Sequence, residues 1–216
     1  MTNRAAPWRG RVITWASGKG GAGKTTLCAA VAAELLARGE RVRLVDADPQ
    51  QAGGLRQWVE AGEALQAAQL LSEPSERAAS VARELAADAV VLVDSAGSLT
   101  RTLAALLEVS DVVLVPCKPS GLDAARAVEL VQMVGQLTQA PAAVVLNGAT
   151  RSAMPDHIRA ELKAAGVRVL RTQVGQRVGF AAAQLYGSGP ALMGSSVRQA
   201  AAEVRALVNE IGRLMP

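Results

Sequence analysis

Six short runs of valine, leucine and alanine recur along the chain, each apolar at consecutive positions and not only at alternate ones: RVITWAS (11–17), RVRLVDAD (41–48), AVVLVDSAG (89–97), DVVLVPCKP (111–119), AAVVLN (142–147) and GVRVLRT (166–172). A strand apolar at every position is buried on both faces. Between the runs lie helical patterns at 24–40, 75–87, 99–108, 121–138 and 155–165, and another spans about 195–214. Strands alternating with helices predict a mostly parallel sheet with helices on both faces. The 216 residues suit one domain, with no internal repeat, low-complexity tract or interdomain linker. With the first strand beginning by residue 11, the expectation is a single unit over 1–216 and no separate N-terminal DNA-binding domain.

Half of the residues are apolar, enough for a full core. No run approaches the roughly 18–20 apolar residues of a bilayer span, and the first residues lack a secretory pattern, so a cytoplasmic protein is expected. Cys28 and Cys117 have neither disulfide nor metal-ligand spacing and read as small buried residues. Charge is uneven: from Thr150 onward nine basic residues face four acidic ones, a net of +5 in a chain whose total is +4. Such a balance suits a surface that meets a polyanion. Only four of the 23 basic residues are lysines, and two of these, Lys19 and Lys24, share one loop.

That loop carries the chemistry. Gly18 to Thr25 fit G-x-x-x-x-G-K-[ST] between a predicted strand and a predicted helix. Gly18, Gly20, Gly21, Ala22 and Gly23 let backbone N–H groups close around phosphates, and the helix N-terminus adds partial positive charge. Lys24 reaches the β- and γ-phosphate oxygens and Thr25 offers a hydroxyl to Mg²⁺. The chain thus reads as an α/β, single-domain P-loop NTPase with a mostly parallel twisted sheet. Asp46 and Asp48 end the second run and Asp94 the third, and carboxyl ends of parallel strands line the ligand crevice. Asp94 fits the acid that holds Mg²⁺ through water. Of Asp46 and Asp48, which alternation points in different directions, one can serve the metal's water shell while the other positions the attacking water.

The stretch KGGAGKTT resembles the deviant Walker A of the ParA/MinD superfamily, and DADPQ resembles the motif after the second strand in its ParA branch. With VDSAGSL (93–99), VPCKPSGLD (115–123) and LRTQVGQRVGF (170–180), the chain is similar to the small plasmid-partition ATPases of the ParF kind. The resemblance implies ATP and Mg²⁺ as cofactors and an ATP-dependent homodimer that coats nonspecific double-stranded DNA of the nucleoid or polymerises. It also implies a ParB-like or small basic centromere-binding partner that stimulates slow hydrolysis. It assigns Lys19 to the nucleotide of the opposite subunit, Asp48 to the hydrolytic water, Asp46 and Asp94 to the metal through water, Thr25 to the metal directly, Thr26 to the α-phosphate and Asn147 to the adenine. An ammonium beside Lys24 would be repelled, so Lys19 needs a second anion or a second subunit to fix its place. Two features depart from the family pattern. Lys118 puts a charge close to the site, and Ser95-Ala96-Gly97 replaces a proline-containing loop.

The terminal helical segment places Val197, Ala201, Val204, Val208, Ile211 and Met215 on one stripe, which reads as core. Arg198 and Arg205, seven apart on another stripe, suit DNA phosphates. A membrane-targeting helix would bring bulky aromatics and more basic residues at its end, so no membrane partner is expected. With three Trp, one Tyr and one Phe the chain is poor in stacking platforms for single strands. Three roles follow: a DNA-bound partition or positioning ATPase, an ATP-driven polymer scaffold, and a MinD-like membrane-positioning ATPase. A nitrogenase-reductase-like role would need paired interface cysteines, and Cys28 is unsuited to bridging a cluster.

Overall fold

The computed structural model describes residues 8–49, 54–98 and 100–215. Seven parallel strands form one sheet: β1 (Val12–Trp15), β2 (Val42–Ala47), β3 (Leu70–Ser72), β4 (Val90–Ser95), β5 (Val112–Cys117), β6 (Ala142–Ala149) and β7 (Val169–Gly175), in the order β3-β2-β4-β1-β5-β6-β7. The six expected runs are six of these strands. The seventh, β3, has three residues, too few to carry a period.

Alternate residues of the central strands feed different cores, as burial on both faces requires, whereas the edge strands β3 and β7 keep exposed positions. Ile13, Trp15, Val112 and Leu114 pack with α1 (Lys24–Ala37), α2 (Leu55–Glu60), α7 (Val178–Leu185) and α8 (Arg198–Ile211). On the opposite face lie α3 (Ala78–Ala86), α4 (Arg101–Val109), α5 (Gly121–Leu137) and α6 (Met154–Ala164), which cover Val12, Val91, Val113 and Val115. The helices α2 and α7 were not expected from the sequence. The last helix starts at Arg198, after a 3-10 turn over Ser195–Val197, and ends at Ile211.

Two structural choices prepare the site. α1 is sandwiched between the sheet and α8, so ten of its 14 residues are buried, and small alanines permit that approach. Its first turn has no side-chain cap, whereas Thr100 caps α4 and Ser120 caps α5. The first N–H groups of α1 therefore stay available to an anion at its N-terminus.

Candidate nucleotide-binding site

The glycine-rich loop leaves β1 at the switch point of the sheet, where β2 lies on one side of β1 and β5 on the other. Gly21 and Gly23 have φ of 76° and 100°, a left-handed region that a β-carbon disfavours. Lys24 is turned inward, 7% exposed, with Nζ donating to Ser17 Oγ at 2.9 Å. Ser17 in turn donates to the Lys19 carbonyl at 2.6 Å, which braces the loop from within. Burial lowers the Lys24 pKa, and the charges of Asp94 and Asp48 oppose that shift.

The three acids converge on the same crevice. Asp46 and Asp94 stand in register on neighbouring β2 and β4, and the Asp48 amide donates to Asp46 Oδ1 at 3.2 Å. Thr25 Oγ1 donates to Asp94 Oδ2 at 2.6 Å. Burial pushes the Asp94 carboxyl up to about 7, against the pull of Thr25 and Lys24, and burial likewise raises Asp46. Asp94 Oδ1 and Asp46 Oδ2 are buried without a hydrogen-bond partner among the described residues. Orphaned carboxylate oxygens are costly. Two of them, hard oxygen donors beside a threonine hydroxyl, fit a hydrated divalent cation. Gln50 of the DADPQ motif lies outside the described residues.

The unusual Ser95-Ala96-Gly97 loop has a packing reason. A β-carbon on Gly97 would stand 2.8 Å from the Gly20 amide nitrogen, so the loop after β4 lies directly against the phosphate loop. Ser95 Oγ donates to the Trp15 carbonyl at 2.7 Å and ties that loop to β1.

Lys19 does not lie with Lys24. Its ammonium sits on Oδ1 of Asp123, a carboxylate 8% exposed in the first turn of α5. The second anion that charge repulsion calls for is thus in the same chain. Asp123 is the site residue that sequence reading missed, since S-x-x-D at 120–123 signals only a capped helix, and its amide indeed donates to Ser120 Oγ at 3.2 Å. Burial would raise its pKa, but hydrogen bonds from Lys19 and Ser120 and the nearby charge of Lys118 bring it below the usual range.

Residues 13–191 match the CobQ/CobB/MinD/ParA nucleotide binding domain. This chain belongs to the ParA/MinD family. It is 34% identical over 202 residues to the maintenance of carboxysome distribution protein A of Halothiobacillus neapolitanus, covering 89% of this chain and 92% of that one. Protein ParA of Rhizobium radiobacter is 28% identical over 186 residues, covering 82% and 83%. The fold is shared with the ATP complex of a Cyanothece McdA variant at a TM-score of 0.75, 15% identity and coverage of 94% and 96%. It is also shared with the cell division ATPase MinD of Pyrococcus furiosus at a TM-score of 0.76, 20% identity and coverage of 95% and 99%. Family membership makes the chain a nucleotide-binding ATPase of the ParA/MinD type.

Two further regions of this ParA/MinD ATPase matter. Asn147 Nδ2 donates to the Ala22 carbonyl at 2.9 Å, so this residue braces the phosphate loop from β6. Beyond it a cavity of about 610 Å³ opens at the ends of β6 and β7, lined by Thr150, Arg151, Gln173, Gln176, Arg177 and Glu203 among others. Its wall is set by an ion pair, Arg177 with Glu203 at 2.6 Å. Arg198 and Arg205 lie apart from this site, on the exposed side of α8. Arg205 approaches Glu34 at 3.6 Å, and Arg38 donates to its carbonyl at 3.3 Å. No helix among the described residues is long and apolar enough to cross a membrane.

Proposed function

We propose that residues 1–216 form a single positioning ATPase domain that distributes a large cargo over the nucleoid by an ATP-driven cycle of dimerisation and DNA binding. The observation that carries this reading is the division of labour between two lysines of one loop. Lys24 is turned into its own phosphate crevice, while Lys19 is held at the rim by Asp123. The relatives that bear on cargo are a carboxysome distribution protein and a ParA protein. Either a protein compartment or a plasmid is a cargo of suitable kind, linked through a ParB-like or small basic partner that stimulates hydrolysis.

In this reading the uncapped start of α1, Gly18 to Gly23 and Lys24 hold the β- and γ-phosphates, and Thr26 meets the α-phosphate. Thr25, with Asp94 and Asp46 through water, would hold Mg²⁺, which neutralises charge on the phosphates when bound. Asp48 orients the attacking water. A carboxylate orients water better than it deprotonates it, so turnover is slow until a partner orders the site. Asn147, whose Oδ1 has no partner among the described residues, and the cavity behind it suit the adenine. Lys19 leaves Asp123 for the nucleotide of a second copy and stabilises charge on the transferring phosphoryl group. Leu122, exposed next to Asp123, would be covered in that dimer.

The test is anisotropy of a labelled nonspecific duplex titrated with Asp48→Ala protein, which should bind ATP, accumulate as dimer and hydrolyse little. Binding with Mg·ATP but not Mg·ADP, weakened by salt, is the expected result. A protein that holds ATP and binds DNA with neither nucleotide would end the nucleoid reading. Lys24→Ala should lose nucleotide binding, and a Lys19→Ala protein that dimerises and hydrolyses normally would remove the trans role of Lys19.

A further inference from the structure

Lys19, Lys118, Asp123 and Arg126 line one narrow cleft beside the phosphate loop. Among them only Asp123 is acidic, and Lys19 holds its Oδ1, an atom with no other partner among the described residues. When Lys19 departs, that oxygen is left as a buried, unpaired charge. With Lys19 in place the cleft has room for at most one water, about 10 Å³, and water entering the space that Lys19 vacates offers dipoles where Asp123 had a full countercharge. Ser120 and the N-terminus of α5 remain beside Asp123, but they contribute partial charges only. A carboxylate this enclosed needs a full countercharge, since removing one member of a buried pair costs far more than the pair was worth.

Two cations are at hand with no ion pair of their own among the described residues. Lys118 is exposed on the loop before α5, and Arg126 is half-buried one turn after Asp123, its β-carbon 3.8 Å from where a β-carbon on Gly18 would stand. We infer that Lys118 and Arg126 are the replacement counterions of Asp123, positioning residues that take over its carboxylate when Lys19 is released towards phosphate. Because these cations already line the cleft, Asp123 keeps a full countercharge when Lys19 leaves, and release of Lys19 is made easier. This use explains why a lysine stands at 118 next to a site that already holds two.

The inference rests on the reading that Lys19 moves, but its test does not need nucleotide. Lys19→Ala imitates the released state, and thermal melts of the full chain without ATP report the cost. Lys118→Gln with Arg126→Gln should melt within about 1 °C of the native protein, because Lys19 still holds Asp123. Adding Lys19→Ala to that pair should lower Tm by about 4 °C more than the separate losses together. Asp123→Asn in the same background should restore most of it, which a merely structural role for the two cations would not do. Should the triple variant not fold, recovery of folding on adding Asp123→Asn is the same result. Additive losses, or no rescue by Asp123→Asn, would overturn the exchange. Failure of the trans-lysine reading is seen separately, as normal ATP-dependent dimerisation and hydrolysis of Lys19→Ala.

Discussion

At the residue scale the site is built from charges that the protein alone does not balance. Asp94 is the extreme case, a buried carboxyl held at about 7 with one oxygen given to Thr25 and the other to nothing among the described residues. A carboxyl whose folded value lies above its unfolded value of about 4 binds its proton more tightly in the folded state. Its favourable contribution is complete below the unfolded value and is lost as pH rises through about 7; Asp46, raised for the same reason, adds in the same direction. The nucleotide-free protein should therefore melt on the order of 5 °C lower at pH 8 than at pH 5.5. Mg·ADP should remove most of that fall, and Asp94→Asn should flatten the curve without ligand. Asp94 and Lys24 were legible in the sequence because strand and loop fix them locally. Asp123 was not, since its partner stands 104 positions earlier and only packing of α5 against the loop brings the two together.

At the element scale α8 does more than cover the core. Its stripe of Val204, Val208 and Ile211 is buried as the apolar spacing implied. Less visible in sequence are two carboxylates seven residues apart that reach the edge strand β7. Glu210 accepts from the amides of Arg171 and Thr172 at 2.7 and 2.9 Å, and Glu203 from that of Gly175 at 3.0 Å. These bonds occupy amides where β7 slips its register against β6, so that stretch of the edge is closed to strand addition. A filament built by pairing β7 edges is therefore disfavoured. Glu210→Ala should lower stability by about 1–2 kcal/mol, since charge-assisted bonds are lost and the half-buried Thr172 amide loses its partner, while water can reach that of Arg171. Chemical denaturation would show this as a reduced midpoint with an unchanged m-value, whereas an unaltered midpoint would mean that water replaces the carboxylate freely. The short elements β3, α2 and α7 escaped the sequence because three to eight residues carry too little period. They are set by tertiary contacts such as the 2.7 Å bond from Trp58 Nε1 to the Ser188 carbonyl.

At the scale of the whole molecule the question is how a nucleotide crevice at one end of the sheet can govern a basic surface on one face. The positive balance after Thr150 is not spread evenly. Arg159 bonds to the Leu170 carbonyl and Arg177 pairs with Glu203, so part of the excess is consumed inside the fold. Arg198 stays exposed on α8, and Arg205, though 64% exposed, shares Glu34 with Arg38. A groove between α8 and the preceding segment runs past both Arg198 and Arg205. This surface is small for one copy, and two copies brought together by ATP would double it. On the proposed function, doubling the phosphate contacts would raise affinity and steepen its salt dependence, so that ATP-driven dimerisation would switch DNA binding. The double substitution Arg198→Ala and Arg205→Ala should thus leave ATP binding and dimerisation unchanged. It should weaken nonspecific duplex binding and reduce the slope of log affinity against log salt by about two for each copy engaged. An unchanged slope would place the DNA surface elsewhere, among the other basic residues after Thr150.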